Sequence, residues 1–539
     1  MALKVVIVGG GAAGMSAAAS VRRESPEAVI TLYEKGDWIS YAMCGLPYFI
    51  GGVTDDPYDL VTYTPEAFWE KRRVQVKTRH EVIAIDPGAK EVTVKGPDGT
   101  TFQQPYDRLI LATGATSKAR HHVRGVPGAF GLHTMDDALA IRKYMEDHRP
   151  QRALVVGSGY IGLEMADELR KLDLDVTLWK GRSRFLGFDS PEIDAWIEET
   201  MQQHGVKVVK GRRFQRVEAV SAASSGASST GTRAPSEATG GSLSGTSSPS
   251  TGASASSTGT STAAPAGPAG PGEVALDSRE ERQLWKGRHT LAVFAQLESE
   301  EASQEVVETE LLILAIGSDP VSPPPLTKGQ LETGPNGALM VDRYLRTNIP
   351  DIWAVGDGVV APHRFGPPTY LALATTANRM GRIAGYNAVH TEAPIEFAGI
   401  TGTIFTTAFG LDIARTGFTD DAARRAGYEP VSVTIKAPDR SAYFPDAKRL
   451  ILRLSADLKT GRLLGAELAG PAETGKRIDA ISVALYAGLT AAEVKQLDLA
   501  YVPPRSTVWD PLLIAGHELE KKLAAQRATS LQQGDRSAG

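Results

Sequence analysis

The chain has 539 residues, of which 42% are hydrophobic and 22% are charged, and its formal net charge is −5. That length predicts about three to four domains, and the composition is typical of a globular protein. The small acidic excess argues against a nucleic-acid partner, and no apolar run approaches the roughly 20 residues that cross a bilayer. Because a strand follows the first residues without a leader, we expect a cytoplasmic protein with no membrane partner.

Cysteine usage restricts the chemistry further. The sequence contains one cysteine, Cys44, so an intrachain disulfide is impossible. A lone cysteine is often a small buried hydrophobic residue. The other interpretation is a redox-active thiol, and the surrounding motifs decide between the two.

The N-terminal segment has the pattern of a dinucleotide-binding fold. An apolar strand at residues 5–8 leads into a glycine-rich turn, an alanine-rich helix and a second strand that ends at an acid. The glycines let the backbone approach a pyrophosphate, the helix N-terminus supplies free N–H groups, and the acid accepts hydrogen bonds from ribose hydroxyls. The alternative is a glycine-rich turn without a ligand. The predicted cofactor-binding residues are Gly9, Gly11, Ala12, Ala13, Gly14 and Glu34.

The same pattern recurs at residues 154–178, where a strand, a glycine turn, a helix carrying Glu164 and a second strand follow one another. Two complete folds in one chain suit an enzyme that holds flavin on one and nicotinamide on the other. The cofactor contacts predicted in this repeat are Gly157, Gly159, Tyr160, Ile161 and Gly162.

The end of the second strand in this repeat indicates which nicotinamide is used. NADH-binding folds usually keep an acid there, whereas this chain has Lys180 and Arg182 in a basic loop. A cationic cluster would bind a 2′-phosphate that a carboxylate repels, so we expect NADPH, or use of both NADPH and NADH. The alternative is a solvated basic loop.

Two further apolar strands, at residues 106–115 and 311–317, end in small-residue turns and connect the dinucleotide domains, and a third, at residues 347–357, ends at an acid. Asp357 is placed to bond a flavin ribityl hydroxyl, although an acid there could also cap the following helix. The cofactor contacts predicted at these turns are Thr113, Gly114, Gly317, Gly356 and Asp357.

Composition changes abruptly between about 220 and 285, where Ser, Gly, Thr, Ala and Pro dominate and a disordered insert is expected. The fold class is therefore α/β, with two Rossmann-like dinucleotide-binding domains for FAD and NAD(P)H and a C-terminal α+β dimerisation domain. The expected parts are FAD-binding residues 1–120 and 321–398, NAD(P)H-binding residues 121–320, dimerisation residues 399–520 and a frayed tail at 521–539.

Together these motifs resemble the pyridine nucleotide-disulfide oxidoreductases over nearly the whole chain outside the insert. The run Ile-Ser-Tyr-Ala-Met-Cys-Gly-Leu-Pro-Tyr at residues 39–48 is similar to the single-cysteine branch, which contains coenzyme A-disulfide reductases, persulfide reductases, NADH oxidases and NADH peroxidases. Relatives with an internal dithiol place a second cysteine where this chain has Phe49. The oxidases and peroxidases carry a His where this chain has Ala12, so the resemblance favours the reductases.

The resemblance implies FAD and NADPH (or NADH) as cofactors, a homodimer, and a small-molecule thiol or disulfide as substrate; no metal site is predicted. Cys44 would be the redox-active residue, and Tyr443 and Tyr501 would reach its pocket from the other subunit. Positions matching Met43 and Trp509 depart from the Asn and Lys of the reductases. The positions that keep polar or cationic character, and so are predicted to bind substrate, are Ser16, Ser20, Arg23, Ser40 and Arg72.

The resulting hypothesis is reduction of a coenzyme A disulfide-like disulfide or persulfide through Cys44, with the flavin ring and the helix after Cys44 stabilising the thiolate. Two alternatives remain at this point. One is an NAD(P)H oxidase in which Cys44 cycles through sulfenic acid, and the other is a redox-sensing flavoprotein that does not turn over nicotinamide.

Overall fold

The structure is a computed structural model that describes residues 2–181, 183–220, 290–297 and 304–538. Most of the expected insert, and Arg182, lie outside these residues. Within them, no helix combines the length and the apolar character that a membrane crossing requires.

The predicted FAD-binding domain is built on a parallel five-stranded sheet in the order β19-β7-β1-β2-β3. Strands β1 and β2 are buried at four of their five positions, as expected for a sheet covered on both faces. Helices α1 and α8 cover one face and approach closely, since a β-carbon on Gly381 would lie 2.2 Å from the carbonyl oxygen of Ala13. The elements are β1 (Lys4–Val8), α1 (Ala12–Glu24), β2 (Val29–Tyr33), β3 (Gln75–Lys77), β7 (Arg108–Leu111), β19 (Ile352–Ala354) and α8 (Ala374–Val389).

Smaller elements complete this domain. An antiparallel sheet of β4 to β6 lies between β3 and β7 in the chain, and β8 pairs with β17 where the chain crosses between the two dinucleotide domains. Their bounds are α2 (Leu46–Ile50), α3 (Pro65–Arg72), β4 (Glu81–Asp86), β5 (Glu91–Lys95), β6 (Thr101–Pro105), β8 (Ala115–Ser117), α4 (Arg120–Val123), β17 (Ser318–Pro320), β18 (Leu339–Met340), β20 (Val359–Ala361) and β21 (Thr369–Tyr370).

The second dinucleotide-binding domain repeats the arrangement, with parallel strands in the order β12-β11-β10-β16-β9 and a three-stranded antiparallel sheet β13-β14-β15. Strand β16 is buried at every position, which explains its unbroken apolar run. The elements are β9 (Ala129–Phe130), α5 (Met135–His148), β10 (Arg152–Val156), α6 (Tyr160–Lys171), β11 (Asp175–Lys180), α7 (Pro191–Gln203), β12 (Lys207–Lys210), β13 (Arg212–Val220), β14 (Thr290–Leu297), β15 (Gln304–Thr309) and β16 (Leu311–Leu314).

The C-terminal domain is an antiparallel sheet in the order β22-β23-β26-β25-β24 with helices packed on it, so the predicted fold class is confirmed in all three parts. The predicted tail continues α12 as far as Ala538, and its described side chains beyond Leu523 are exposed. The elements are β22 (Ile404–Ala408), β23 (Leu411–Gly417), α9 (Asp420–Arg425), β24 (Pro430–Pro438), β25 (Arg449–Asp457), β26 (Leu463–Pro471), α10 (Arg477–Ala487), α11 (Ala491–Val494) and α12 (Pro511–Ala538).

Candidate active site

The first glycine turn closes tightly over the end of β1. Gly9 has a φ of 108°, and a β-carbon on it would lie 2.1 Å from the carbonyl oxygen of Ala112. A β-carbon on Gly14 would lie 1.9 Å from the carbonyl oxygen of Gly9, whereas one on Gly11 would meet no described atom within 4 Å. The turn therefore presents bare backbone in front of α1, as a pyrophosphate site requires.

Other predicted flavin contacts converge on the same edge of the sheet. A β-carbon on Gly356 would lie 2.9 Å from that of Ala13, and one on Gly358 would lie 3.0 Å from the carbonyl oxygen of Gly114. The turn after β19 is thus held between the first glycine turn and the turn after β7, which also carries Thr113. Asp357 lies in this turn, and burial raises the pKa of its carboxyl.

Glu34 stands at the end of β2, where its carboxylate bridges two loops. It accepts hydrogen bonds from the backbone N–H groups of Gly10 at 2.7 Å and Gly36 at 2.8 Å. A carboxylate has about four lone-pair sites. The remaining capacity suits Glu34 to accept hydrogen bonds from ribose hydroxyls, as predicted.

The second glycine turn has the same construction. Gly157 has a φ of 120°, and its β-carbon would lie 2.2 Å from the carbonyl oxygen of Ala315. A β-carbon on Gly162 would lie 2.0 Å from the carbonyl oxygen of Gly157, and one on Gly159 would again meet no described atom within 4 Å. Gly317, with a φ of 98°, follows β16 beside this turn.

Two polar atoms near the second turn lack hydrogen-bond partners within the described part of the chain. Tyr160 is the first residue of α6, ahead of Ile161, and its hydroxyl is buried without a hydrogen-bond partner among the described residues. The Nε of Arg415 is also buried and also lacks a described partner. Burial raises the pKa of Tyr160, and the charge of Arg415 opposes that change. Buried unpaired groups of this kind are expected where a ligand completes the site.

Lys180 does not serve the role that its position in the sequence indicated. Its side chain is 4% exposed, and its ammonium pairs with Asp194 on α7 at 2.6 Å and 2.8 Å. The same ammonium lies 4.1 Å from the ring centroid of Phe185. The expectation that Lys180 binds a 2′-phosphate is therefore corrected, because its charge is already neutralised inside the domain.

We expect Lys180→Met to lower the free energy of unfolding by about 3 kcal/mol, because Asp194 would keep its charge without its ionic partner. Urea denaturation would measure the change. Lys207→Met, which alters an exposed lysine on β12, is the matched control. Equal stability of the two variants would show that the buried pair contributes little.

Cys44 lies in a short 3₁₀ turn, Met43–Gly45, directly before α2, and it is exposed. Partial desolvation raises the pKa of the Cys44 thiol, and the negative charges of Glu164 and Asp357 raise it further. The side chains around Cys44 therefore favour the neutral thiol. The expectation that the flavin ring and the helix after Cys44 together stabilise the thiolate stays a prediction.

Glu164, on α6 of the second dinucleotide domain, influences the thiol through its charge and is hydrogen-bonded to the C-terminal domain. Thr406, on β22, donates a hydrogen bond of 2.6 Å to its carboxylate. Burial raises the pKa of Glu164 to about 7, the Thr406 hydrogen bond opposes this, and Glu168 adds to it. A carboxyl that titrates near neutral pH can both give and accept a proton during turnover.

Glu164→Gln is expected to lower the pKa of the Cys44 thiol, because it removes a negative charge that disfavours the thiolate. A lower thiol pKa increases the thiolate fraction, so the rate of alkylation by iodoacetamide near pH 7 should rise by up to about tenfold. The rate measured from pH 5 to pH 10 would give the thiol pKa directly. Glu199→Gln, at an exposed carboxylate on α7, is the control. An unchanged or higher thiol pKa would contradict the assigned influence of Glu164.

The predicted substrate residues on α1 divide into two groups. Ser20 is 1% exposed and donates to the carbonyl oxygen of Arg382, so its predicted contact with substrate is corrected to a contact between α1 and α8. Ser16 donates to the side chain of Asn378 at 2.6 Å on the more open part of the same interface. Arg23 is exposed, and its guanidinium donates to the carboxylate of Glu24 at 3.2 Å and to the hydroxyl of Ser20 at 3.1 Å, so its contact with substrate stays a prediction.

Ser40 and Arg72 both lie in the first domain, Ser40 in the loop after β2 and Arg72 at the end of α3. Ser40 has a φ of 48°, and its backbone N–H donates to the carbonyl oxygen of Gly10, which places it beside the first glycine turn. Arg72 is in the last turn of α3. Both residues remain predicted contacts with substrate, and only Ser40 has a described contact with the first glycine turn.

Tyr443 and Tyr501 lie on neighbouring loops of the C-terminal domain. The backbone N–H of Ser441 donates to the carbonyl oxygen of Pro503, which joins the two loops. Tyr443 is 73% exposed and Tyr501 is 46% exposed. Among the described residues, no hydrogen bond connects either tyrosine to Cys44.

Three residues of the site were not predicted from the sequence: Thr406, Tyr48 and Glu168. Burial raises the pKa of Tyr48 to about 12, and the charges of Glu164, Glu168, Asp167 and Cys44 add to it, so Tyr48 lies among these groups. The acids of α6 at positions i and i+4 were a readable signal for Glu168. The sequence around β22 contains no pattern that would predict the hydrogen bond from Thr406 to Glu164.

Comparisons with known proteins identify the family of the chain. A profile described as pyridine nucleotide-disulphide oxidoreductase matches residues 3–236 and 285–381, and the profile of the corresponding dimerisation domain matches residues 402–511. A Pyrococcus horikoshii protein named NAD(P)H coenzyme A polysulfide/persulfide reductase is 30% identical over 531 residues, which cover 96% of this chain and 99% of the relative.

A Methanocaldococcus jannaschii protein named NADH oxidase is 26% identical over 525 residues, covering 97% of this chain and all of the relative. The crystal structure of reduced Bacillus anthracis CoADR-RHD matches with a TM-score of 0.78 and 28% identity, covering 97% of this chain and 81% of that one. The chain is an oxidoreductase that belongs to the pyridine nucleotide-disulphide oxidoreductase family.

Proposed function

We propose that this protein is an FAD-dependent NAD(P)H oxidoreductase that reduces a low-molecular-weight disulfide or persulfide through Cys44. The observation that carries the proposal is the position of the thiol. Cys44 is exposed, and it lies within electrostatic reach of Asp357 in the first dinucleotide domain and Glu164 in the second. A substrate bonded to this thiol would therefore be near acidic residues of both dinucleotide-binding domains.

The residues at the first glycine turn fit FAD. The open space before Gly11 accommodates the pyrophosphate, and the unused lone pairs of Glu34 suit a ribose. Asp357, half-buried at the turn after β19, suits a ribityl hydroxyl. FAD held by these residues would supply two-electron transfer between a nicotinamide and sulfur.

Cys44 supplies the nucleophile. Its thiolate attacks a substrate RS–SR′, the S–S bond breaks, a Cys44–S–S–R bond forms and R′S⁻ leaves. Two electrons originating from NAD(P)H then cleave the mixed disulfide to Cys44 thiolate and RS⁻. Phe49 stands where the dithiol relatives carry a second cysteine, so the substrate's own sulfur completes each mixed disulfide.

A homodimer would complete the site. The dimerisation-domain match covers the loops that carry Tyr443 and Tyr501, and both rings are exposed in the single chain. We assign to Tyr501, with Tyr443 beside it, protonation of the thiolate that leaves the partner's Cys44.

The coenzyme preference rests on the loop after β11. With Lys180 paired to Asp194, the exposed cation of this loop in the described chain is Arg184, and Arg182 lies outside the described residues. We propose NADPH, with NADH as the alternative coenzyme, because no acidic side chain replaces Lys180 at the end of the strand.

Coenzyme A disulfide or coenzyme A persulfide is the proposed substrate class, supported by the names of the Pyrococcus and Bacillus relatives. The rival acceptor is oxygen, supported by the relative named NADH oxidase. Ala12 favours the disulfide, because the first glycine turn carries no imidazole to assist cleavage of a peroxide bond.

The deciding experiment compares acceptors under matched conditions. Anaerobic NADPH consumption would be measured with coenzyme A disulfide, coenzyme A persulfide and glutathione disulfide, and aerobic consumption without any disulfide. We expect turnover with a coenzyme A acceptor to exceed oxygen consumption. Intact-mass analysis of protein purified without reductant should find a thiol adduct on Cys44. Oxygen consumption that exceeds every disulfide rate would establish the oxidase instead.

A further inference from the structure

The C-terminal sheet places three charged side chains in one row. In the register of β23, β26 and β25, Arg415 lies opposite Glu467, and Glu467 lies opposite Arg453. Glu467 is 2% exposed and Arg453 is 7% exposed. Charged side chains are rarely buried to this degree without partners, so the groups that this row contacts indicate its role.

Glu467 holds the end of the loop that joins β11 to α7. One carboxylate oxygen accepts from the backbone N–H of Asp189 at 2.6 Å, and the other accepts from the backbone N–H of Ser190 at 2.8 Å. A carboxylate makes stronger hydrogen bonds to backbone N–H groups than a neutral acceptor does. Two such bonds at consecutive residues fix the course of the chain here, whatever side chains the loop carries.

Asp189 is held from the same domain by its side chain as well. Its carboxylate accepts from the backbone N–H of Asp420, the first residue of α9, at 2.6 Å, and it lies 3.6 Å from the guanidinium of Arg453. That guanidinium also pairs with the carboxylate of Asp420 at 2.6 Å. The C-terminal domain therefore fixes both the backbone and the side chain of Asp189.

The other end of the row contacts the middle of the same loop, which in turn contacts the second glycine turn. Arg415 donates to the carbonyl oxygens of Leu186 at 3.3 Å and Gly187 at 3.4 Å. Leu186 has a φ of 55°, which is uncommon for a residue with a side chain, and its N–H donates to the carbonyl oxygen of Ser158 at 2.9 Å. Ser158 lies between the first two glycines of that turn. The loop is thus fixed against the turn that we assign to the nicotinamide coenzyme.

The loop also carries the cation on which the proposed coenzyme preference depends. Arg184 is exposed, and its guanidinium donates to the carbonyl oxygen of Asp189 at 2.7 Å. Asp189 therefore connects the two charges, because its carbonyl oxygen binds Arg184 and its N–H is bound by Glu467. A displacement of residue 189 would move the guanidinium of Arg184 with it.

Packing of the two domains does not by itself require a buried acid. Taking a carboxylate out of water is costly, and apolar side chains of similar volume often join two elements at least as well. A carboxylate differs in that its hydrogen bonds are directional, so it specifies where the bonded backbone lies. Glu467 stands where the sheet meets residues 189 and 190, which indicates control of the loop's position.

We propose that Glu467 is a positioning residue for NADPH, which from the C-terminal domain fixes the loop between β11 and α7 so that Arg184 meets the 2′-phosphate. The inference rests on the proposed function, and it extends coenzyme recognition to a domain outside the two glycine turns. Bidentate contact between a guanidinium and a phosphate requires a defined orientation of both groups. NADH has no 2′-phosphate, so its binding should depend much less on Glu467.

The test uses the flavin-loaded, full-length protein with Glu467→Gln. The carboxamide keeps one acceptor oxygen and nearly the same shape, but its nitrogen faces an N–H group from which it cannot accept a hydrogen bond. Binding of NADP⁺ and NAD⁺, which bind without turnover, would be measured by isothermal titration calorimetry. A hydrogen bond to a charged group commonly changes an equilibrium constant about tenfold or more, so we expect the Kd of NADP⁺ to rise at least about fivefold and that of NAD⁺ less than about twofold.

Kinetics separate positioning from a general loss of structure. The KM for NADPH should rise with the Kd, while the limiting rate of anaerobic flavin reduction at saturating NADPH should stay within about twofold of the wild-type rate. In the Arg184→Met background, Glu467→Gln should have little further effect on NADP⁺ binding, because the two residues act on one contact. Glu429→Gln, at an exposed glutamate of the same domain, is the matched control.

An unchanged Kd of NADP⁺ in Glu467→Gln would overturn the inference. Equal losses for NADP⁺ and NAD⁺ would overturn it too, since they indicate a loosened domain. Arg415→Met releases Leu186 and Gly187 and should also raise the Kd of NADP⁺. If Glu467→Gln does not fold, a normal Kd in Arg415→Met would be the contradicting result. Failure of the proposed function would be seen separately, as wild-type protein whose flavin is reduced by neither NADPH nor NADH.

Discussion

Replacement of Cys44 by serine is expected to lower the rate of disulfide reduction by about a thousandfold or more, a loss of the size seen when other enzymes lose their nucleophile. A serine hydroxyl cannot form the mixed disulfide through which electrons reach the substrate, and the chain has no second cysteine to replace it. Steady-state NADPH consumption with the disulfide substrate would measure the loss.

The same variant should still bind flavin and reduce it with NADPH, because the substitution changes neither of the two glycine turns. Cys44→Ala serves as the matched control. It also lacks the sulfur but does not introduce a hydroxyl, so the two variants should lose disulfide reduction equally. Bleaching of the flavin under anaerobic conditions reports the first half of the cycle separately from the second. Disulfide turnover by either variant at the wild-type rate would remove Cys44 from the reaction.

Mixing Cys44→Ser with Tyr501→Phe should restore activity from near zero to about half of the wild-type value per heterodimer. In a two-fold dimer whose sites each take Cys44 from one chain and Tyr501 from the other, one site of the heterodimer carries both defects and one carries neither. The exposed position of Tyr501 in the single chain motivates this expectation.

Subunit exchange would be confirmed with two affinity tags, and activity would be measured on the doubly tagged fraction. Each parent must first be shown to be strongly impaired alone. Heterodimers that remain as inactive as their parents would place Tyr501 in its own chain's site or outside the reaction. Mixing Cys44→Ser with Cys44→Ala gives the baseline, because no heterodimer of these two has an intact site.

The amino-acid sequence by itself determined the two glycine turns, the acid at Glu34 and the three-part fold. These features depend on the conformational and burial preferences of residues that are close together in the sequence. Gly9 and Gly157 are required because their backbone is in the left-handed region and packs against a carbonyl oxygen, and buried parallel strands need continuous apolar runs. The lone cysteine limited the chemistry without any knowledge of the fold.

Only the tertiary structure decided which polar side chains remain available. Lys180 and Ser20 were predicted to contact ligands. The ammonium of Lys180 is instead paired with Asp194, and the hydroxyl of Ser20 donates to the carbonyl oxygen of Arg382. Thr406 reaches Glu164 across 242 positions of sequence. A residue's type shows what it can bind, but its burial and its long-range partners decide whether that capacity is left for a ligand, and these arise from packing between distant segments.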